Sequence, residues 1–229
     1  MMVCRHLRNR VDLRVFDKDR EKLSGVAEAR SLDEVLRAEL IVLAVPISAV
    51  QRTCAKIAAS LKPGQIVVDT CSVKARPVSW MLETLPAFVD VLGTHPLFGP
   101  DSGKAGIAGL KIALCPVRIA PEKYAAICGF LRSLELVLVE ATPEEHDRQM
   151  ALSQAVFHLI AQAMKRLEWG VKPLSTPGPE SFFRLVNTVQ RDTDQLFLDI
   201  ECENPFAAEC RRQFIEEIER IDSELRSLD

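Results

Sequence analysis

The stretch Gly93-Thr94-His95-Pro96-Leu97-Phe98-Gly99-Pro100-Asp101-Ser102-Gly103-Lys104 decides how the rest of the chain is organised. An apolar run from Phe88 to Leu92 precedes it and predicts a short strand in a buried sheet. The glycines and prolines that follow disfavour regular structure, so we expect His95 on a rigid loop after that strand. Ligands bind at the carboxyl ends of the strands in open α/β sheets. The pattern therefore predicts a functional histidine, the alternative being a polar histidine on an ordinary surface loop.

The composition is that of a globular protein, since 48% of the 229 residues are hydrophobic and 27% are charged. A net charge of -3 provides no basic field, so we expect no nucleic-acid partner. No apolar run reaches the roughly 20 residues of a membrane helix, and the N-terminus lacks the apolar core of a signal peptide. Seven cysteines, an odd number without a CxxC pair, indicate reduced thiols. We therefore predict a cytoplasmic protein with no membrane contact and no metal.

Residues 1–140 alternate between short apolar runs and helical stretches. Continuous apolar runs such as Glu39 to Pro46 are typical of buried parallel strands. The other predicted strands are Leu13 to Asp17, Gln65 to Asp69, Phe88 to Leu92, Leu110 to Leu114 and Leu134 to Val139. Helices are predicted from the capping residue Ser31, from Val50 to Leu61, from Pro77 to Leu85 and from Pro121 to Ser133. This alternation predicts an α/β domain with an incomplete Rossmann-like parallel sheet.

Residues 141–229 carry long helical runs instead. Thr142-Pro143-Glu144-Glu145 has the residues of a helix start, and the predicted helices are 143–170, 180–203 and 205–227. The last of them places Phe214, Ile215, Ile218, Ile221 and Leu225 on one side. That apolar side needs a partner, and a second subunit is a natural one. We therefore predict an all-helical domain that forms a homodimer.

The loop from Thr94 to Lys104 resembles the signature loop of the prephenate/arogenate dehydrogenases of tyrosine biosynthesis, and is most similar to the plant-type arogenate branch. The resemblance runs from about Val11 to about Pro205, with several motifs in the family's order. It implies oxidative decarboxylation of arogenate or prephenate with NAD or NADP. Hydride leaves the hydroxyl-bearing ring carbon for the nicotinamide, a neutral histidine takes the hydroxyl proton, and the ring carboxylate departs as carbon dioxide.

The N-terminal residues match the family only from its second strand onward. The predicted strand Leu13 to Asp17 ends in an acidic residue that would bind the adenosine ribose and favour NAD over NADP. The GxGxxG turn should precede it, yet the first glycine is Gly25. The sequence thus resembles a member that begins about two dozen residues late, through a mis-called start, a fragmentary gene or genuine shortening. We expect the 229-residue chain to bind NAD weakly or not at all.

Three candidate catalytic residues follow from the resemblance. His95 corresponds to the catalytic histidine, and Ser72 to the serine that contacts the ring hydroxyl and lies beside the cofactor. His158, 11 residues after Asp147, corresponds to an active-site histidine that faces substrate and nicotinamide. Val45 and Pro46, after a predicted strand, are expected at the cofactor. Without the family, Ser72 is a turn residue and His158 a core histidine with a backbone partner.

The substrate-binding candidates lie near residue 190. Microbial relatives carry an arginine nine residues before an aromatic, and Thr188 occupies that position here, so Arg184 or Arg191 is expected to replace it. The plant-type branch has an Asn-Thr pair, matching Asn187-Thr188. It also has an aspartate that distinguishes the amine of arogenate from the keto group of prephenate, and Asp192 is the best match.

Two other functions compete with the dehydrogenase. The missing glycine-rich turn favours a catalytically impaired relative that acts as a dimeric binding module, or a gene fragment. A different Rossmann dehydrogenase, such as a hydroxyacid or imine reductase, would carry a catalytic Lys or Asp where this chain has His158. The pair His146-Asp147 resembles a family pair that we expect to be structural, and no second ligand cluster supports a metal phosphohydrolase.

Overall fold

The computed structural model of the chain describes residues 2–189 and 192–228. The chain divides into two compact units. Unit 1 comprises Met1–Val45 and Ala49–Pro143, and unit 2 comprises Pro46–Ser48 and Glu144–Asp229. The strands of unit 1 are β1 (Leu40–Leu43), β2 (Ile66–Asp69), β3 (Asp90–Pro96), β4 (Lys111–Arg118) and β5 (Val137–Glu140). Its helices are α1 (Met2–Leu7), α2 (Leu32–Val35), α3 (Val50–Ile57), α4 (Ala75–Thr84) and α5 (Pro121–Ser133).

Unit 1 is built on one five-stranded sheet with the order β1-β2-β3-β4-β5. Three of its pairings are parallel and one, between β3 and β4, is antiparallel. The apolar runs predicted as buried strands supply its centre, where Val67 and Val91 are fully buried side by side. Helix α4 packs on β3 and α5 packs on β5. The α/β architecture with a mostly parallel sheet is therefore confirmed.

The expectation that His95 lies on an irregular loop is wrong. Strand β3 continues to Pro96, and His95 pairs with Ala113 of the antiparallel strand β4. The register of β2 with β3 ends at Val68 and Leu92, so among the described strands β4 alone pairs with the last residues of β3. Ladder hydrogen bonds to this long neighbour outweigh the local preference of glycine and proline for turns.

Two other strand expectations are also corrected. Burial in β1 alternates instead of being continuous, and Leu40 and Val42 are each 39% exposed. Among the described strands β1 pairs with β2 alone, so one edge of the apolar run has no neighbour. The predicted strand from Leu13 to Asp17 forms only an isolated bridge between Val15 and Ala29, because no described strand continues its ladder.

Unit 2 is helical. Its helices are α6 (Pro143–Met150), α7 (Val156–Arg166), α8 (Pro177–Val189), α9 (Asp194–Glu203) and α10 (Ala207–Arg226), with a π-helical segment Ala151–Ala155 between α6 and α7. The single helix expected over residues 180–203 is in fact two helices. Thr193 caps α9, since its hydroxyl oxygen accepts from the backbone N–H of Leu196 (3.2 Å). A threonine that starts a new helix outweighs the apolar periodicity across the break.

Candidate active site

The carboxyl ends of β2 and β3 lie at one edge of the unit 1 sheet, since the two strands are parallel. Asp69 is the last residue of β2, and its Oδ2 accepts a hydrogen bond from the backbone N–H of Cys71 (3.0 Å). This bond turns the chain into the loop that carries Ser72, which is half-buried. His95, near the end of β3, is 5% exposed. The sheet thus presents a serine and a buried histidine at the edge where ligands bind in such folds.

The predicted ribose-binding residue Asp17 is half-buried, and its Oδ1 accepts from the backbone N–H of Asp19 (2.9 Å). Asp19 in turn caps the short 3-10 helix Arg20–Leu23. A single backbone bond to Oδ1 leaves acceptor capacity on the Asp17 carboxylate for a ribose hydroxyl. Of the two other cofactor candidates, Val45 is half-buried and its carbonyl lies 4.0 Å from the Cys71 sulfur, whereas Pro46 is exposed.

Unit 2 has a shallow depression built around His158 of α7. Its Nε2 lies 3.9 Å from Oδ2 of Asp192, in the segment before α9. The depression is lined by His158, Ala161, Gln162, Lys165, Val189, Asp192, Thr193, Asp194 and Phe197. Two residues predicted from the sequence, His158 and Asp192, are therefore brought together.

Burial makes His158 a neutral imidazole at ordinary pH. The side chain is only 6% exposed, and desolvation lowers the pKa of His158 to about 4. A neutral imidazole donates one hydrogen bond and accepts another, so His158 can bind a hydroxyl or an amide directly. Beside it, the Asp192 side chain is 37% exposed and provides an acceptor for a cationic group of a ligand.

Two of the remaining substrate candidates, Thr188 and Arg184, are not among the residues that line the depression. Thr188 is exposed, and its hydroxyl donates to the Leu185 carbonyl (2.7 Å) within the same helix. Arg184 is also exposed, with a guanidinium nitrogen 3.8 Å from a Glu180 carboxylate oxygen. Arg191 is outside the described residues. Of the four residues expected to bind substrate, Asp192 alone is described as lining the depression.

The sequence analysis missed Lys165 as a lining residue. Its Nζ lies 3.9 Å from Oδ1 of Asp194, in the first turn of α9. A signal was present, because His158, Gln162 and Lys165 follow the spacing of one helix face. The residues that face Lys165, however, follow a break between α8 and α9 that the helical periodicity of the sequence did not reveal. Lys165 supplies the one lysine among the lining residues described.

His146 and Asp147 form a second buried pair in unit 2. His146 Nδ1 lies 2.8 Å from Asp147 Oδ1, and Asn204 Nδ2 donates to the Asp147 carbonyl (2.8 Å). These contacts connect α6 to the chain beyond α9, which fits the structural role predicted for the pair. In the described part of the chain, no group of three or more His, Cys, Asp or Glu side chains is arranged to hold a metal ion.

These features define a Rossmann-like α/β protein of the nucleotide-binding class, with polar side chains at the carboxyl ends of neighbouring strands. Within that class, the chain belongs to the prephenate dehydrogenase family. The family's sequence profile, described as prephenate dehydrogenase, nucleotide-binding domain, matches residues 9–140. The resemblance carried by the loop from Thr94 to Lys104 is thereby confirmed.

Two curated relatives show how far the similarity extends. The chain is 30% identical over 209 residues to arogenate dehydrogenase 1, chloroplastic, of Arabidopsis thaliana, which covers 88% of this chain and 33% of that protein. It is 24% identical over 220 residues to a probable arogenate/prephenate dehydrogenase of Methanocaldococcus jannaschii, which covers 93% of this chain and 49% of that protein. The chain thus spans between a third and a half of the length of these relatives.

Solved structures confirm the fold. Prephenate dehydrogenase from A. aeolicus, in complex with hydroxyphenyl propionate and NAD+, superposes with a TM-score of 0.75 at 19% identity, over 99% of this chain and 85% of that one. Synechocystis arogenate dehydrogenase gives a TM-score of 0.62 at 22% identity, over 88% of this chain and 77% of that one.

Proposed function

We propose that the protein oxidatively decarboxylates arogenate, or prephenate, with a nicotinamide cofactor as hydride acceptor. The observation that carries the proposal is a buried histidine, His95, beside the Ser72 loop at the carboxyl edge of the sheet. Family membership supports the same chemistry. Histidine is the usual general base near neutral pH, and a rigid strand end holds it in one orientation.

The residues of unit 1 fit one end of the cofactor. Asp17 keeps acceptor capacity for the adenosine ribose, and its carboxylate would repel the 2′-phosphate of NADP, so we propose NAD. Val45 and Pro46 would lie at the cofactor, as in the family. The 229-residue sequence contains no GxGxxG turn to bind the pyrophosphate. When bound, NAD supplies the acceptor for the hydride of the ring carbon.

His95 performs the acid–base part of the proposed reaction. In its neutral form it accepts the hydrogen bond, and then the proton, of the ring hydroxyl as that carbon becomes a carbonyl. Ser72 orients the same hydroxyl. Loss of the ring carboxylate as carbon dioxide and aromatisation then drive the reaction forward.

Unit 2 supports arogenate as the preferred substrate. Arogenate carries an amine where prephenate carries a keto group, and the Asp192 carboxylate beside His158 suits an ammonium group. Arg184, Arg191 and Thr188 remain candidates for the substrate carboxylates. Lys165, which lines the depression, joins them as a candidate for the same role.

We also infer a homodimer in a cytosol-like compartment. Helix α10 leaves Ile215, Ile218, Ile221 and Leu225 between 44% and 59% exposed. Such a stripe is buried when a second copy packs against it.

No disulfide joins the six cysteines whose side chains are described, as expected where thiols stay reduced. None of the described helices is both long and apolar enough to cross a membrane.

Replacing His95 with Asn tests the catalytic proposal. The asparagine can still hydrogen bond to substrate but cannot take a proton, so kcat should fall about a hundred- to ten-thousand-fold with KM little changed. Steady-state kinetics on arogenate and prephenate measure this, using the 229-residue chain and the same chain preceded by the strand and glycine-rich turn of a relative. Near-normal turnover of the His95 variant would remove His95 from the mechanism.

A second candidate function is a dimeric binding module without dehydrogenase activity. The exposed apolar stripe of α10, which would suit such a module as well as an enzyme, is the observation that favours it. Calorimetric titration with NAD distinguishes the two functions, because an active enzyme must bind the cofactor. Low-micromolar affinity for the 229-residue chain would exclude the binding module and contradict our expectation of weak binding.

A further inference from the structure

Lys74 is a completely buried lysine to which the proposed reaction assigns no role. It begins helix α4 at the end of the Ser72 loop, and it forms an ion pair with Asp69, which is also completely buried. We propose that Lys74 and Asp69 are positioning residues that fix His95 and the Ser72 loop relative to each other. This inference rests on the proposed function, because it concerns the geometry of the same histidine and serine.

The pair binds both backbone polar groups of the residue before His95. Lys74 Nζ donates to the carbonyl oxygen of Thr94 (2.7 Å), and the backbone N–H of Thr94 donates to Asp69 Oδ1 (3.2 Å). The Thr94 hydroxyl also donates to the Asp69 carbonyl. The Thr94 carbonyl belongs to the peptide group that joins Thr94 to His95. The ammonium group therefore fixes the peptide plane from which His95 extends.

The same pair closes the loop that carries Ser72. Asp69 and Lys74 are its two ends, and their side chains meet through Nζ and Oδ2. Asp69 Oδ2 additionally accepts from the Cys71 backbone N–H inside the loop (3.0 Å). One carboxylate thus contacts the loop, the lysine and β3, so a displacement of the loop also displaces the end of β3.

The alkyl chain of Lys74 packs close to Gly93 of β3. A Cβ at Gly93 would collide with Val78 Cγ2 at 2.9 Å and crowd Cys115 Cβ at 3.2 Å, and it would come within 3.4 Å of Lys74 Cδ. Glycine at this position of β3 allows the alkyl chain of Lys74 to cross the strand closely. At the end of that alkyl chain the ammonium group contacts the Thr94 carbonyl.

Stability alone does not explain a buried ion pair. Removing two charges from water carries a large desolvation penalty, and apolar residues of similar volume are often as stable or more stable. A pair held by directional hydrogen bonds to one peptide group instead provides a defined orientation. Misplacing a catalytic group by about 1 Å can lower a rate on the order of a hundredfold.

Three variants separate positioning from simple stabilisation: Lys74→Met, Asp69→Asn, and the double variant Asp69→Asn/Lys74→Met. Each single variant leaves one buried group without its partner and should lower Tm. The double variant removes both charges, so we expect its Tm to return close to that of the parent. Its His95 ring signals in ¹H–¹⁵N NMR should remain shifted, and kcat should stay reduced on the order of ten- to a hundredfold with KM little changed.

Lys123→Met is the matched control, because Lys123 pairs with Asp90 (2.5 Å) at the opposite end of β3. It should leave the His95 ring signals unchanged. A double variant that recovers the parent's Tm together with its His95 signals and kcat would overturn the proposal. If the double variant does not fold, the same NMR signals are measured in the near-isosteric variant Asp69→Asn. His95 signals that do not move would then overturn the proposal, and shifted signals would support it. If the chain preceded by the strand and glycine-rich turn of a relative shows no turnover, the proposed function fails while the NMR comparison still decides the positioning role.

Discussion

At His158, burial controls the imidazole more strongly than the neighbouring carboxylate does. The Asp192 oxygen is 3.9 Å away and would favour the imidazolium, yet the pKa of His158 is lowered to about 4 by desolvation. The Asp192 side chain is partly open to water, which weakens its attraction for a proton on the buried ring. The ring therefore remains neutral at the pH values where the proposed enzyme would work.

This neutral histidine predicts a pH dependence of stability. The unfolded chain binds a proton near pH 6.5, whereas folded His158 binds it only near pH 4, so the stabilising contribution is complete above pH 6.5 and is lost as pH falls toward 4. The loss is roughly 3 kcal/mol from the two pKa values. Urea unfolding between pH 4 and 7 measures it, and His158→Gln should flatten the slope. An equal slope in the variant would assign the effect to other groups.

Asp192 predicts the substrate preference. Asp192→Asn removes the charge proposed to pair with the arogenate amine, so the ratio of kcat/KM for arogenate over that for prephenate should fall by about tenfold or more. Steady-state kinetics of both substrates measure the ratio. Asp222→Asn makes the same charge change on α10, where Asp222 pairs with Arg226, and should leave the ratio unchanged. A parent that prefers prephenate would refute the arogenate assignment and leave the family assignment intact.

Single residues were predictable from the sequence where the signal is local. Ser72 and His95 each belong to a sequence motif, and both lie at the carboxyl edge of the sheet. Their catalytic roles stay predictions. Lys74 was not assigned a role, because its partner carbonyl at Thr94 lies 20 residues further along the chain. A contact of that range depends on the pairing of β2 with β3, which a motif does not encode.

At the scale of elements, strand β3 illustrates what local patterns leave out. Its apolar first half was predicted, but its second half is a strand only because β4 pairs with it antiparallel. Glycine and proline in that half predicted a loop. Likewise, the helical periodicity of residues 180–203 concealed the break at which Thr193 begins α9. In both places the outcome depends on a tertiary neighbour or a capping bond.

Strand β3 also predicts a cost for enlarging Gly93. In Gly93→Ala the new methyl group would lie 2.9 Å from Val78 Cγ2 and 3.2 Å from Cys115 Cβ, so α4 and β4 must shift. Overpacking of this kind destabilises by about 1–3 kcal/mol. Gly129→Ala in α5 is the control, since nothing lies within 4 Å and alanine favours helices, so it should stabilise slightly. Chemical denaturation of both variants measures this, and equal effects would contradict the packing argument.

At the scale of the whole molecule, the change from alternating strands to long helical runs predicted the general architecture. The order and direction of the strands were harder to predict, because no local sequence pattern indicates that β4 runs antiparallel to β3. The organisation into a cofactor domain over residues 1–140 and a substrate and dimerisation domain over residues 141–229 stays a proposal about function. Along the chain, unit 1 ends at Pro143 and unit 2 continues from Glu144, with Pro46–Ser48 also grouped in unit 2.

The exposed stripe of α10 predicts the oligomeric state. Ile218, 52% exposed, lies on the stripe with Ile215, Ile221 and Leu225, whereas charged residues on the helix form pairs such as Arg212–Glu216. Sedimentation velocity at micromolar concentration should show a dimer for the parent. Ile218→Glu places a charge in the apolar contact and should shift the protein to monomer. Leu174→Glu makes the same kind of change at a 97% exposed loop residue of unit 2 and should leave the dimer intact. A parent that sediments as a stable monomer would count against the dimer, and a dimeric Ile218 variant would place the interface elsewhere.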